Sequence, residues 1–412
     1  MSKEKFYKKF VLREDMQELE QKLDYNPYYA KISSGLSDPL IINGEEYVNL
    51  AANNYLGLAM NPKVMEHAKK AMDRYGISLC GTPIATGSID LYQRMQKRLA
   101  NFVGVEDVII LPSCYQANNA IFMAILTAHD VVIVDHYAHS SLSEGIKATK
   151  CKIRPFKHND LQSLEKNLKV SASNLDEKGH IFVVTESVFS TEGSIAPFAE
   201  MVKLCEKYDA IPLIDDSHGI GVLGKNGNGI LSHFGLDKGN YSGIYTTSTG
   251  KALATVGGII GGPKKFIEYL KYYCSHLVYS TAISPINLGA LEMILNILED
   301  DSEYKKISDQ MWRYRNMLAD GLKAVGFKLA DGPAPIVSIK AGDSIETLLL
   351  AKAFYKQKIL TTPFIFPSVP LDGGVVRLIA MTTLKEETIE RVLGVLNEVF
   401  IDHESWVKGW KK

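Results

Sequence analysis

A single lysine, Lys251, stands in a stretch that is poorly suited to a structural lysine. The stretch is Tyr245-Thr-Thr-Ser-Thr-Gly-Lys251-Ala-Leu-Ala-Thr-Val-Gly-Gly258, with an apolar strand predicted on either side. Its residues are too small to cover the lysine stem, and none is a carboxylate that would pair with the ammonium. A desolvated lysine loses its proton readily and attacks carbonyl carbons. We therefore predict that Lys251 forms a Schiff base, with an exposed loop lysine as the alternative.

Four strands predicted upstream of Lys251 each end in polar residues. The strands are Val108–Leu111, Val131–Val134, Ile181–Thr185 and Ile211–Ile214. The residues after them are Ser113-Cys114-Tyr115, Asp135-His136-Tyr137-Ala138-His139, Glu186-Ser187-Val188-Phe189-Ser190 and Asp215-Asp216-Ser217-His218. Any one of these groups is ordinary as a helix cap or a surface histidine. Ligands of parallel sheets, however, bind beyond the carboxyl ends of the strands, so four such ends together indicate a site.

These residue types are the parts that a pyridoxal phosphate enzyme requires. The cofactor withdraws electrons from the substrate Cα, and an anionic partner keeps its pyridine nitrogen protonated for that purpose. We predict that Asp215, at the tip of a buried strand, is this partner. Ser113 precedes a predicted helix, whose free N–H groups suit a phosphate.

The elements that position these residues alternate between strand and helix. Over about 200 residues this pattern predicts an α/β domain with a mostly parallel sheet. We assign residues 61–295 to this large cofactor-binding domain. Residues 1–60 are predicted to form an N-terminal arm with a charged helix at about 14–25, and residues 296–412 a smaller C-terminal α+β domain.

Arg377 stands alone in an apolar strand of this C-terminal domain, Gly374-Val-Val-Arg377-Leu-Ile-Ala. A bare guanidinium there would be costly without an anion. We predict that Arg377 holds a substrate carboxylate. The alternative is an internal ion pair with Glu386 or Glu387 of the last predicted helix.

The composition excludes several other classes of protein. The 412 residues are 46% hydrophobic and 23% charged, with a net charge of −1, which is typical of a soluble enzyme of two or more domains. The absence of a basic block argues against nucleic-acid binding. The 5 cysteines have no CxxC or Cys/His spacing, so we expect no disulfide framework, no metal site and a cytoplasmic location. Neither a signal peptide nor an integral membrane segment of about 18 apolar residues is present.

An ordered set of motifs resembles the α-oxoamine synthase family, pyridoxal phosphate enzymes of fold type I. The motifs are Asn53-Asn-Tyr-Leu-Gly-Leu, Ser113-Cys-Tyr-Gln-Ala-Asn, Asp135-His-Tyr-Ala-His139-Ser, Glu186-Ser-Val-Phe-Ser190-Thr-Glu-Gly, Asp215-Asp-Ser-His218-Gly, Thr-Gly-Lys251-Ala-Leu and Ser280-Thr281-Ala. They extend over nearly the whole chain, and the ordered set is far more specific than any one motif. The resemblance implies the fold type I transferase architecture and pyridoxal 5'-phosphate as the cofactor.

The resemblance also implies a role for each residue. Lys251 forms the Schiff base with the cofactor and later moves the Cα proton. The other implied cofactor contacts are ring stacking by His139, the ring nitrogen by Asp215, the phenolic oxygen by His218 and Ser190, and the phosphate by Ser113, Cys114, Tyr115 and Ser248, with Ser280 and Thr281 from the neighbouring subunit. Asn53 and Arg377 are the implied substrate contacts, and in glycine-using members the arginine at this position binds the carboxylate.

The implied function is an acyltransferase that condenses an amino acid, with glycine or another small one favoured, with an acyl-CoA thioester. The product is an α-amino ketone, usually formed with loss of CO2, and the enzyme is expected to be a homodimer with composite active sites. Retro-aldol cleavage or aminotransfer on the same fold, an acyl carrier protein thioester as donor, and a non-catalytic partner subunit stay open as alternatives. Pro83 and Leu91 depart from the family pattern in a segment expected near the substrate entrance, which bears on the acyl donor.

Overall fold

A computed structural model describes residues 3–10, 23, 25–237, 239–330 and 332–410. The helix expected at about 14–25 lies almost entirely outside the described residues. The strands are β1 (Leu40–Ile42), β2 (Glu45–Asn49), β3 (Asp107–Leu111), β4 (Val131–Asp135), β5 (Lys152–Phe156), β6 (Ile181–Glu186), β7 (Ala210–Asp215), β8 (Ile244–Ser248), β9 (Gly258–Gly262), β10 (Val337–Gly342), β11 (Ile359–Leu360), β12 (Thr362–Phe364) and β13 (Gly374–Leu378).

The α-helices, again in chain order, are α1 (Lys3–Tyr7), α2 (Pro62–Tyr75), α3 (Asp90–Val103), α4 (Cys114–Ile125), α5 (Ser140–Lys147), α6 (Leu161–Ser173), α7 (Phe198–Lys207), α8 (Ile230–His233), α9 (Lys264–Tyr273), α10 (Ser275–Val278), α11 (Pro285–Glu299), α12 (Asp301–Val325), α13 (Ser344–Lys356) and α14 (Glu386–Trp410). A 3₁₀ turn spans Leu58–Met60 and a π-helical turn spans Pro83–Gly87. Within the part of the chain that the structure describes, no helix has the length and apolar character needed to cross a membrane.

The central sheet has seven strands in the order β3-β9-β8-β7-β6-β4-β5. All pairings from β8 to β5 are parallel, whereas β9 is antiparallel to both β8 and β3. Strand β3 therefore runs in the same direction as the parallel strands. The predicted α/β architecture with a mostly parallel sheet is confirmed. The carboxyl ends of β3, β4, β6 and β7 lie at the same end of the sheet.

Alternate residues of the inner strands pack into hydrophobic layers on opposite faces of this sheet. In β4, Val131 and Ile133 belong to one core, while Val132 and Val134 belong to the other. The six residues of β6 are all buried. Since helices cover both faces, these strands read in the sequence as continuous apolar runs, which is what made them predictable.

Strand β5 is not predicted from the sequence, because it lies at the sheet edge. Four of its five residues are exposed or half-buried, so the apolar run is missing. Pro155 lacks the N–H that a central strand needs, and proline in sheets is confined largely to edges.

A second sheet, in the order β10-β13-β12, is antiparallel and carries Arg377 in β13. It packs against a separate core that includes residues of α12, α13 and α14. The arm strands β1 and β2 join β11, where Val48 pairs with Ile359. The backbone N–H of Ile379 then donates to the carbonyl of Leu50, and that of Thr382 to the carbonyl of Tyr55. The arm is thus held beside the strand that bears Arg377.

Candidate active site

Asp215 is the centre of a buried hydrogen-bond network at the carboxyl edge of the large sheet. It ends β7, where its neighbours in register are Glu186 of β6 and Thr246 of β8. Asn118 Nδ2 donates to Oδ2 at 2.7 Å. The main-chain N–H and the hydroxyl of Ser217 donate to Oδ1 at 3.0 and 2.5 Å. Three donors therefore hold this carboxylate in one orientation, as a fixed acceptor for a cationic ring nitrogen requires.

Lys251 lies in the turn that connects β8 to β9. Its amine makes no hydrogen bond or ion pair with any residue within the described ranges. Burial lowers the pKa of Lys251, while the nearby charges of Asp215 and Glu186 oppose that shift. Its flanking residues Gly250 and Ala252 are small, as the sequence shows. An unpaired, desolvated amine beside Asp215 is the arrangement that imine formation needs.

His139 is the N-cap of helix α5 and is held by three contacts. Its Nδ1 accepts the backbone N–H of Ser141 at 3.2 Å and lies 2.8 Å from the Ser141 hydroxyl. The backbone N–H of His139 donates to Glu186 Oε1 at 2.6 Å. Burial lowers the pKa of His139, and burial beside Asp215 raises the pKa of Glu186. The ring of His139 is therefore fixed and neutral, as a stacking face should be.

His218 is buried, and Tyr55 of the arm orients it. The Tyr55 hydroxyl lies 2.7 Å from His218 Nδ1. Burial lowers the pKa of His218 strongly, and the nearby positive charges of Lys251 and Arg377 add to the effect. Tyr55 is placed to donate to Nδ1, and a hydroxyl that donates there leaves the ring proton on Nε2.

The start of helix α4 provides the predicted anion cradle. Ser113 is its N-cap and accepts the N–H of Gln116 at 3.1 Å. The N–H groups of Cys114 and Tyr115 lie in the first turn, where no intrahelical acceptor exists. Ser248 ends β8, and its hydroxyl accepts the N–H of Gly250 at 3.0 Å.

Gly258, the first residue of β9, packs directly against this cradle. A Cβ at this position would overlap the carbonyl of Ser113 and the nitrogen of Cys114. The strand that follows the Lys251 turn therefore has no room for a side chain where it meets the start of α4.

Arg377 is buried, and Nη1 donates to the main-chain carbonyl of Ser190 at 3.1 Å. Its guanidinium carbon lies 4.8 Å from the centroid of the Phe364 ring. Nε has no hydrogen-bond partner, and no ion pair to Arg377 forms within the described ranges. The side-chain oxygen of Asn53 is also buried without a partner. Both predicted substrate residues thus present unused polar atoms, which a bound carboxylate or amine would satisfy.

The alternative of an ion pair between Arg377 and Glu386 is wrong. Glu386 instead forms a bidentate pair with Arg313, with both N–O distances 2.8 Å. Glu386 is the first residue of α14, and Arg313 lies on the neighbouring helix α12.

The remaining predicted residues are less closely connected. The carbonyl of Ser190 contacts Arg377, but no hydrogen bond of the Ser190 hydroxyl is recorded in the described chain. Ser280 and Thr281 line an open depression of about 510 Å³ that also includes Pro112 and Val256. The Ser280 hydroxyl donates to the main-chain carbonyl of Thr281 at 3.4 Å. Among the described residues, neither hydroxyl bonds to the cofactor residues predicted elsewhere in the chain.

Pro83 begins the π-helical turn that spans Pro83–Gly87. Leu91, the second residue of α3, is buried in the main hydrophobic core. That their segment lies near the substrate entrance stays a prediction.

Sequence reasoning assigned no role to several side chains that hold the site together. They are Tyr55, Asn118, Ser141, Glu186 and Ser217. All five lie within or one residue beyond the motifs quoted above. A signal existed for Asn118, because it follows Cys114 by four residues and so lies on the same face of α4.

These groups fit pyridoxal 5'-phosphate. The cofactor needs an amine for its aldehyde, an acid for its ring nitrogen and N–H donors for its phosphate. Lys251, Asp215 and the start of α4 supply these groups at the carboxyl ends of the strands. Arg377 and Asn53 each keep a buried polar atom without a partner. Fold and site together therefore define a fold type I pyridoxal phosphate enzyme.

Comparisons with known proteins agree with this class. The family model for aminotransferase class I and II matches residues 45–396. The 8-amino-7-oxononanoate synthase of Bacillus pumilus is 31% identical over 391 residues, which cover 95% of this chain and 97% of that protein. The 2-amino-3-ketobutyrate coenzyme A ligase of Escherichia coli is 31% identical over 370 residues, 89% of this chain and 91% of that protein. The chain belongs to the class I and II aminotransferase family and, within it, to the α-oxoamine synthases.

A solved structure has the same fold. A solved serine palmitoyltransferase of Sphingomonas wittichii aligns with a TM-score of 0.88 at 24% identity and covers 95% of this chain and 96% of that one. At this identity the likeness concerns the fold alone. The fold type I assignment made from the motifs is confirmed.

Proposed function

We propose that this protein condenses a small amino acid, with glycine favoured, with an acyl-CoA thioester to give an α-amino ketone and CO2. The observation that carries the proposal is Arg377, a buried guanidinium with an unsatisfied Nε and no anionic partner in the described chain. Its charge is close enough to influence the pKa of both Lys251 and His218. A carboxylate held there would place the amino acid beside the reactive amine.

Arg377 orients the substrate in this scheme. Its planar fork would bind the carboxylate, and Phe364 supports the guanidinium from one face. Asn53 would accept a hydrogen bond through its unused side-chain oxygen. A carboxylate fixed in this way sets which bond at Cα is perpendicular to the cofactor ring.

Proton transfer falls to Lys251. When bound, pyridoxal phosphate supplies an electron sink that makes the Cα proton acidic. Burial lowers the pKa of Lys251, which favours the free amine that a base requires. Asp215 would hold the ring nitrogen, and the Nε2–H of His218 would donate to the phenolic oxygen together with Ser190. Ser113, Cys114, Tyr115 and Ser248 would hold the phosphate.

Coenzyme A as the thioester carrier is supported by the name of the Escherichia coli relative. A cytoplasmic location is supported by the five cysteines, all of which are free.

A homodimer with composite sites also belongs to the proposal. Tyr279 and Val256, which flank Ser280 and Thr281 in the depression described above, have side chains that are 85% and 60% exposed. Such apolar exposure is typical of a protein interface. A second subunit would cover these side chains and receive the two hydroxyls at its phosphate, and two-fold dimers are the commonest symmetric assembly.

The test combines two measurements. Purified protein is reduced with borohydride, and Lys251→Ala should lose the covalent cofactor adduct. The wild type is then incubated with a panel of amino acids, each with acyl-CoA, with an acyl carrier protein thioester or alone, and the products are identified by mass spectrometry. An α-amino ketone formed only with acyl-CoA supports the proposal. A product formed without any thioester would show retro-aldol or aminotransfer chemistry, and no product at all would favour a silent subunit.

A further inference from the structure

His158, which follows β5, lies between two carboxylates from different loops. Its Nδ1 is 3.0 Å from Asp135 Oδ1, at the end of β4. Its Nε2 is 3.3 Å from Glu192 Oε1 and 3.1 Å from the Ser194 hydroxyl, both in the loop after β6. The ring stacks on Tyr137, with centroids 4.5 Å apart, and meets the edge of Phe189 at 4.3 Å. We call Asp135, His158 and Glu192 the His158 clamp.

Both ring nitrogens of His158 face carboxylate oxygens, which favours a ring that is protonated on both nitrogens. A neutral imidazole has one N–H and could donate to only one of the two carboxylates. Asn159 presents its amide nitrogen 3.2 Å from Nε2, while its amide oxygen is buried without a partner. A 180° rotation of that amide pairs its oxygen with the same N–H. Burial opposes the charged ring, but the hydrogen bonds to Asp135 and Glu192 outweigh it and raise the pKa of His158 to about 9.

The clamp joins the two loops that carry cofactor residues. On one side, Asp135 also accepts the N–H of Tyr137 at 2.8 Å, and the same loop leads to His139. On the other side, Glu192 accepts the hydroxyl of Ser194 at 2.7 Å, in the loop that contains Ser190.

The second loop continues the connection to the small sheet. Arg377 donates to the carbonyl of Ser190, and the hydroxyl of Ser338 donates to the carbonyl of Thr191 at 2.5 Å. Ser338 and Arg377 are themselves partners across β10 and β13. The position of residues 190–192 thus sets where Arg377 is anchored.

We propose that His158 is a positioning residue. As an imidazolium held between Asp135 and Glu192, it fixes the His139 loop against the Ser190 loop. This contact aligns the cofactor residues with Arg377. His158 does not contact the reacting atoms. The inference rests on the proposed function, because it assigns His158 to the cofactor and carboxylate sites described above.

Two readouts test the clamp. In full-length protein labelled with ¹⁵N-histidine, both nitrogens of His158 should be protonated at neutral pH, with or without added pyridoxal phosphate, and His158→Gln assigns the signal. In titrations, His158→Gln and Glu192→Gln should each weaken pyridoxal phosphate binding and amino-acid binding by roughly tenfold, since each removes a charged hydrogen bond. The double variant should be no worse than either single variant, because both act through one contact.

The matched control is His129→Gln. His129 pairs with Asp176 at 3.2 Å and is about half exposed. It lies just before β4, at the amino ends of the parallel strands and so away from the site. The variant should leave both affinities unchanged. A neutral His158, or clamp variants that melt earlier yet keep both affinities within about twofold, would overturn the proposal and leave a purely structural role. If wild-type protein bound no pyridoxal phosphate, the proposed function would fail instead, while the ¹⁵N spectrum would still report on the clamp.

Discussion

The Tyr55 hydroxyl lies 2.7 Å from Nδ1 of His218, a buried imidazole. A residue of the N-terminal arm therefore contacts one ring nitrogen of the histidine that follows β7, and a hydroxyl that donates there leaves the ring proton on Nε2. Without the hydroxyl, either nitrogen of His218 is free to carry the proton.

Tyr55→Phe should lower kcat by roughly tenfold and leave the affinity for pyridoxal phosphate nearly unchanged, because one neutral hydrogen bond is lost. Steady-state kinetics and a cofactor titration check this. Tyr241→Phe is the control, since its buried hydroxyl donates to the carbonyls of Pro212 and Ile244 away from the site. Tyr241→Phe should lower the melting temperature and leave kcat unchanged. If Tyr55→Phe instead lowered the melting temperature and left kcat unchanged, Tyr55 would have no part in the mechanism.

Arg377→Lys should raise the dissociation constant of the amino acid by about 10- to 100-fold, because an ammonium cannot replace the bidentate fork. The melting temperature should change little, since Arg377 forms no ion pair with any residue that the structure describes. The control is Arg313→Lys at the exposed pair with Glu386, which should affect neither quantity by much. A large drop in melting temperature with normal substrate affinity would identify Arg377 as structural.

Asp215→Asn should keep the fold and much of the cofactor binding but reduce turnover by roughly a hundredfold or more, because the ring nitrogen loses its anionic partner. Asp130→Asn is the matched control. Asp130 is also buried but lies just before β4, at the amino ends of the parallel strands, where it accepts the backbone N–H groups of Thr127 and His180. Asp130→Asn should lower stability alone. Wild-type turnover in Asp215→Asn would mean that another acid serves the ring.

The free energy of unfolding should depend on His158 between about pH 6.5 and 9. Its pKa is raised in the folded state, so the folded protein binds the proton more tightly than the unfolded chain. The stabilisation is complete below about 6.5 and is lost as the pH rises through 9. Urea titrations across this range should show a fall in the wild type that His158→Gln lacks. Equal slopes in both proteins would contradict the charged state.

Much of the site could be predicted because its residues directly follow apolar strands. Asp215 and Lys251 are recognisable in this way, since a polar residue at the end of a buried run is a local feature of the sequence. The contact between Asn118 and Asp215 depends on how α4 packs against the sheet, which no local pattern specifies. The partner of Glu386 likewise depends on where α12 and α14 cross.

Gly258 has no Cβ, and the space between β9 and the start of α4, beside the expected phosphate position, depends on that. The lysine turn and the helix that would hold the phosphate touch through bare backbone, so even one methyl group would spread them apart. Gly258→Ala should therefore change how tightly the cofactor is gripped while leaving every reactive group in place. A search restricted to side chains with chemical function would overlook this position, although it sets the spacing on which all of them depend.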